Sequence, residues 1–243
     1  MRKCLSSGAT LVLLLASLCF SLPAAEPRPN VIIILADDLG YGDLGCYGQE
    51  KIKTPNLDKL AAAGTRFTSF YAGSTVCAPS RCAMMTGLHT GHARIRGNGK
   101  TSLTAEDDTL PQFLKGANYF NGLVGKWGLG NAGSPGTPGE KSFDEFVGYL
   151  DQTHAHDYYS TYLDRFDTNG GLRKAEFTKN GGGAKGTWLP DTLQKAAQNF
   201  IRIYRPDPFN KQRPFFLCYT PTIPHANNEA GKVGDGMQVP NDR

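Results

Sequence analysis

No stretch of this sequence is apolar for long enough to cross a bilayer. The longest such run, residues 11–20, is about half of the ~20 residues that a spanning helix needs. Net charge is also nearly absent. The 26 Lys and Arg against 22 Asp and Glu leave +4, too little for the basic face of a nucleic-acid binder or a membrane-surface protein. Cysteine is scarce, and the spacing of the six matches neither a disulfide framework nor a zinc site. There is no internal repeat and no charged low-complexity tract. What is left is an ordinary globular composition, 40% hydrophobic and 20% charged. At 243 residues it allows one large α/β domain or two small ones.

The apolar run follows Arg2 and Lys3 and precedes Pro23-Ala24-Ala25, a charged start, a greasy middle and small residues at the end. Residues 1–25 are therefore predicted to be a secretory signal peptide cleaved near Ala24 or Ala25. Leu18 stands where a lipoprotein signal would have a small residue before Cys19, so no stable membrane anchor is expected. Its removal leaves 24 basic and 22 acidic residues, a net charge of +2, and four cysteines: Cys46, Cys77, Cys82 and Cys218. The expected location is outside the cytoplasm, secreted or periplasmic. There, the four thiols could form up to two disulfides.

Residues 31–35, Val-Ile-Ile-Ile-Leu, read as a strand buried on both faces of a parallel sheet. Asp37-Asp38 follow it directly. Ligands of open α/β sheets bind at the carboxyl ends of strands. Two adjacent carboxylates there suit a hard cation such as Ca²⁺ or Mg²⁺. A helix is predicted from Pro55, with Thr54 as cap and Gly64 as its end, and a second strand over residues 66–71. Further along, residues 109–116 read as a helix and residues 119–124 as a strand leading to Gly125-Lys126-Trp127. Gly128 to Gly133 spell the spacing of a dinucleotide-binding loop. Ser134-Pro135-Gly136 beyond it cannot start the helix that such a loop requires. Arg165 stands at the first ligand position of a faint EF-hand spacing, which excludes a calcium loop at residues 165–176. Leu193, Ala196, Ala197, Phe200 and Ile201 recur at helical spacing within a helix predicted over residues 191–204. A last buried strand, residues 214–219, runs into Pro221-Thr222-Ile223-Pro224-His225. Strands separated by helices point to an α/β fold with a mostly parallel sheet and helices on both faces.

The densest chemistry lies in residues 76–87, Val-Cys-Ala-Pro-Ser-Arg-Cys-Ala-Met-Met-Thr-Gly. Pro79 suits the first position of a helix, since its missing N–H needs no partner there. Cys77 would then sit at a helix mouth whose free N–H groups attract anions. Arg81 would lie one turn inside. If the sheet is parallel, Asp37, Asp38, Cys77, Arg81, Lys126 and His225 can converge on one edge. A cation with an arginine, a lysine and a histidine would make a strongly electropositive pocket, suited to a tetrahedral oxyanion ester of sulfate or phosphate.

Cys77-Ala78-Pro79-Ser80-Arg81 with Thr86-Gly87 resembles the C-x-P-S-R…T-G signature of type I sulfatases, in the alkaline-phosphatase superfamily. Asp37-Asp38, Gly125-Lys126-Trp127 and Pro224-His225 match the same family in the same order. The resemblance runs from about Asn30 to the end, and it implies an alkaline-phosphatase-like catalytic domain of which residues 26–243 are the N-terminal part. It further implies that a formylglycine-generating maturation enzyme oxidises Cys77 to formylglycine, whose hydrate attacks sulfur and then expels sulfate. Asp37, Asp38 and the modified Cys77 would hold Ca²⁺, Arg81 would stabilise the nucleophile, and Lys126 and His225 would bind the sulfate, with His225 a general acid. The implied substrates are sulfated polysaccharides or glycosaminoglycans. The alternatives are a phosphatase or phosphodiesterase of the same superfamily, which commonly uses Ser or Thr where Cys77 stands, and a non-catalytic sulfate-binding remnant.

Two departures from the family pattern stand out. Gly128 replaces the histidine of G-K-W-H-L-G, and His156 or His154 is expected to supply the imidazole instead. The family's later aspartate–asparagine pair and a later lysine have no counterpart up to Arg243, so the polypeptide is expected to be a fragment with little activity of its own.

Overall fold

A computed structural model describes residues 28–205, 213–232 and 235–240. The predicted signal peptide lies outside the described residues. Six strands form one sheet: β1 (Val31–Ile34), β2 (Phe120–Lys126), β3 (Glu145–Tyr149), β4 (Tyr162–Asp167), β5 (Gly170–Glu176) and β6 (Phe215–Thr220). Their order is β1-β6-β2-β3-β4-β5. The first four in that order run parallel, while β4 and β5 form an antiparallel hairpin on the edge at β3. That hairpin occupies the faint EF-hand spacing.

Among the described residues, four α-helices accompany the sheet: α1 (Pro55–Ala63), α2 (Cys77–Thr86), α3 (Leu110–Gly116) and α4 (Leu189–Tyr204). The alternation of β6 sorts them onto two faces. Phe216 and Cys218 join Leu123 and Phe146 in a cluster with Ala78, Cys82 and Met85 of α2 and with Leu110 and Leu114 of α3. Phe215 and Leu217 point the other way, with Val124 and Tyr149, into a second cluster with Leu189, Leu193, Ala197 and Phe200 of α4. The helical spacing in α4 is thus the stripe that meets the sheet. Each such fully buried side chain stabilises the fold by about 1.5–3 kcal/mol.

Two expectations of the sequence fail. The strand at residues 31–35 is buried on one face only: Ile32 and Ile34 are 45% and 61% exposed. Among the described residues, β1 is an end strand whose Ile32 and Ile34 face no helix. Residues 66–71 form no strand. They find no partner in the sheet, and Phe67, Phe70 and Tyr71 stand 62–84% exposed. Elsewhere the differences are small. Thr109 and Gln112 form a capping box at the start of α3, with Gln112 Oε1 accepting from the Thr109 backbone N–H at 2.8 Å. No helix follows the glycines at 128–133. The chain passes there through turns, with the Trp127 indole donating to the Gly136 carbonyl at 2.8 Å.

The three central strands approach one another closely at Gly125, which pairs with Gly148 on one side and Thr220 on the other. Its φ is +115°, and a Cβ on it would lie 2.1 Å from the Thr220 carbonyl oxygen. Gly125→Ala should cost about 2–4 kcal/mol, read as a lower urea midpoint. Gly133→Ala, at φ +80° with open space around it, should cost only the left-handed strain of about 1–2 kcal/mol.

Candidate active site

β1 and β6 run side by side, and the segments that leave them stay together. The Asp37 backbone N–H donates to the Pro221 carbonyl at 3.2 Å, and Asp37 bridges Pro224 in parallel register. This brings the two carboxylates after β1 to the histidine after β6. Lys126 arrives at the end of β2, between those strands and β3. α2 supplies Cys77 and Arg81. It begins at Cys77 itself, so Pro79 is the third residue of the helix instead of the first. That position is equally permissive, because the first four N–H groups of a helix have no partner within it. Asn98 satisfies one of them, accepting from the Ala78 N–H at 2.9 Å.

Asp37 is the hub. Its Oδ1 meets Arg81 Nη2 at 3.0 Å and its Oδ2 meets Lys126 Nζ at 2.8 Å. All three side chains are buried, that of Lys126 completely. Burial raises the Asp37 pKa, but Arg81, Lys126 and His225 together outweigh it, and the carboxyl lies below its ordinary value. It is therefore an anion at neutral pH. Arg81 also donates from Nη1 to the Lys126 carbonyl at 2.6 Å, which ties helix to strand. Its Nε is buried with no partner, a spare N–H donor within the pocket's own guanidinium.

His225 faces Cys77 and Asp38. Its Nε2 lies 4.0 Å from Cys77 Sγ and 3.4 Å from Asp38 Oδ2. Nδ1 is 2.5 Å from the Ala226 carbonyl, which can only accept, so Nδ1 carries a proton. The Tyr158 hydroxyl holds the backbone of this turn, 2.9 Å from the Thr222 carbonyl and in contact with that of His225. The His156 ring stacks on His225 with centroids 4.3 Å apart at 11°. His156 Nε2 is 3.4 Å from Lys126 Nζ.

The fold thus brings together Asp37, Asp38, Cys77, Arg81, Lys126, His156 and His225. It does not bring His154. That ring packs between Tyr149 and Tyr162, and its Nε2 meets the Ser160 hydroxyl at 2.5 Å. Gly128 has φ +77°, and a Cβ there would fall 2.0 Å from Gln152 Nε2. Gln152 fills the space a side chain at 128 would need, while His156 approaches Lys126 from another direction. Asn98, Tyr158, Gln152 and Glu229 went unnoticed in the sequence. Only the glycines flanking Asn98 hinted at a special turn.

Cysteine chemistry separates cleanly. Cys46, Cys77, Cys82 and Cys218 are all free, so neither of the disulfides they could form is present. Burial pushes the thiols of Cys82 and Cys218 up, that of Cys218 to about 12, which makes both inert. Cys77 alone is partly exposed within the pocket.

Metal ligands are also assembled. One ligand atom each from Asp37, Cys77 and His225 lies within 4.8 Å of the others. Thiolate and imidazole would suit zinc, but Asp38 adds a second carboxylate, 66% exposed, in a left-handed backbone conformation. A hard cation fits the two carboxylates, since Asp37 is ionised. They provide only part of the six to eight oxygens that Ca²⁺ takes.

A model of the sulfatase family matches residues 29–237. Arylsulfatase A of Homo sapiens is 35% identical over 245 residues, covering 93% of this chain and 46% of that protein. N-acetylgalactosamine-6-sulfatase of Canis lupus familiaris is 29% identical over 263 residues, covering 96% and 48%. Among solved structures, Ps i-CgsB in complex with k-i-k-neocarrahexaose superposes with a TM-score of 0.66 at 30% identity, over 85% of this chain and 48% of that one. A protein in complex with its substrate D-glucosamine-2-N,6-O-disulfate gives a TM-score of 0.63 at 27% identity, over 82% and 35%. The chain spans about half the length of the curated relatives it matches. Among the described residues, no helix is long and apolar enough to cross a membrane.

Asp37→Asn should remove about 3–5 kcal/mol at pH 7, because it leaves Lys126 and Arg81 buried without their counter-charge. The Asp37 pKa is lower folded than unfolded, so its contribution is present above the unfolded value of about 3.9 and fades as pH falls through the folded one. Urea titrations of both proteins should therefore differ widely at pH 7 and converge in acid.

Proposed function

The chain belongs to the sulfatase family, and we propose that this pocket hydrolyses sulfate esters with residue 77 as the nucleophile. One observation carries the reading: Asp37 gathers Arg81 and Lys126 beside Cys77 and His225, so two buried cations meet a single buried carboxylate. Among the buried side chains the charge surplus is positive, with only the exposed Asp38 carboxylate nearby to offset it, and a dianionic or monoanionic tetrahedral ester restores the balance. An uncharged substrate would leave it uncompensated.

The residues divide the work by position. Lys126 presents an ammonium whose orientation is set from two sides, by Asp37 at 2.8 Å and His156 at 3.4 Å. Arg81 is fixed through both Nη atoms and keeps Nε–H for an oxygen at residue 77 or on the bound anion. His225 already bears a proton on Nδ1, so the proton it delivers to a leaving alkoxide or phenoxide comes from Nε2, the nitrogen facing Cys77. Burial and the Lys126 charge hold the His156 pKa below its ordinary value, although Glu229 pulls it the other way. His156 is thus neutral at pH 7, an acceptor for Lys126 and not a competing acid.

Cys77 would be converted to formylglycine by a maturation enzyme, and the hydrate would supply one oxygen for attack on sulfur and a second for release of the sulfate. Asp37 and Asp38 would hold a cation such as Ca²⁺, which would supply Lewis acidity. Sulfated carbohydrate is the substrate class we favour, supported by the carbohydrate ligands of the two solved relatives. Secretion or export to a periplasm accords with a polymer substrate met outside the cell.

Turnover by a chain half the length of its relatives should be slow, but protein produced together with a formylglycine-generating enzyme should still cleave an aryl sulfate faster than the matching aryl phosphate. Mass spectrometry of the tryptic peptide of residues 67–81 should show an aldehyde at position 77. Cys77→Ala should abolish turnover, and His156→Ala should lower kcat by about 10-fold or more. An unmodified thiol at 77 in an active protein, or faster phosphate cleavage, would overturn the assignment.

A further inference from the structure

Glu229 lies outside every motif discussed above, in the turn that follows His225. Its Oε2 is 2.7 Å from Nδ1 of His156. On the far side of the same ring, Nε2 is 3.4 Å from Lys126 Nζ. An ammonium has hydrogens and no lone pair, so it can only donate. Nε2 must then accept, and the ring's proton must reside on Nδ1, where Glu229 receives it. The two contacts together admit one neutral tautomer. The other tautomer would aim Nε2–H at the ammonium and a lone pair at the carboxylate, reversing both contacts at once.

Glu229 is well placed to impose this. Its own backbone N–H donates to Asn227 Oδ1 at 3.1 Å, and Asn227 in turn donates from its backbone to the Gly236 carbonyl at 3.0 Å. The carboxylate therefore comes from a turn that is itself held. Its side chain is 40% exposed against 9% for His156. A pair with one partner so exposed adds little to stability. Its consequence is orientation: the ring plane that Glu229 fixes is the plane that stacks on His225 and whose Nε2 steers Lys126.

We propose that Glu229 is a positioning residue of the sulfate pocket, holding the Nδ1–H tautomer of His156 so that its Nε2 lone pair orients the Lys126 ammonium and its ring face orients His225. The role of this dyad in catalysis rests on the sulfatase reading above, whereas the tautomer does not.

The test uses protein carrying ¹⁵N-labelled histidine, with long-range ¹H–¹⁵N correlations reporting which nitrogen of His156 holds the proton. The 3.4 Å contact to Lys126 is too long to hold the tautomer by itself, so Glu229→Ala should shift His156 away from the Nδ1–H form, while Glu229→Gln, whose amide oxygen still accepts, should keep it. On an aryl sulfate, Glu229→Ala should lower kcat by about 10-fold with the urea midpoint unchanged, and Glu229→Gln should recover most of the loss. An unchanged tautomer in Glu229→Ala, or a rate loss that Glu229→Gln shares in full, overturns the proposal. If the wild-type protein shows no sulfatase activity, it is the functional reading that fails. The tautomers of the two variants then still decide whether Glu229 orients His156.

Discussion

A carboxylate shared between two buried cations governs this structure. Asp37 stands at the end of β1, Arg81 in α2 and Lys126 at the end of β2, so one carboxylate pins a helix and two strands that are not neighbours in the sheet. Neither cation could remain in so dry a place without it, because an unpaired buried charge costs several kcal/mol. Yet one negative charge cannot neutralise two positive ones. The clamp is stable enough to fold and incomplete enough to want an anion, and both properties come from the same three side chains.

Much of this was legible from the sequence, and the reason is local. The continuous apolar run of β6 and the helical stripe of α4 depend on near neighbours along the chain, so sequence pattern finds them. Cys77, Pro79 and Arg81 sit within one turn of helix, so their spacing carries their geometry. The strand ends that deliver Asp37, Lys126 and His225 follow from the rule that parallel sheets gather their chemistry at one edge. The failures are tertiary. Nothing in residues 31–35 tells which face a helix will cover, and Ile32 and Ile34 stay exposed. Residues 66–71 have the composition of a strand and no strand to pair with. His154 and His156 differ by two positions and are equally histidine. Only the turn over residues 154–156 sends one to Lys126 and the other among tyrosines. Glu229 lies 73 residues from His156 and has no sequence signature at all.

The pocket also shows how one missing side chain can be accommodated. Gly128 has the flexible Gln152 side chain against it, and His156 reaches Lys126 from the loop after β3. An imidazole arriving by that route needs its own orienting partner, since it lacks the short tether of the strand end. The stacked pair of His156 and His225 couples this loop to the turn after β6. Two segments far apart in sequence thereby share one rigid wall.

Residue 77 opens α2, and Ala78, Pro79, Arg81, Cys82 and Met85 of that helix are buried. An enzyme that reads the sequence around a target residue must draw that sequence into its own cleft, usually as an extended strand. Once α2 has docked and Arg81 has locked onto Asp37, the segment is no longer available in that form. An enzyme that converted Cys77 by reading the residues around it would meet them in extended form only before α2 docks, although the thiol itself stays partly exposed afterwards.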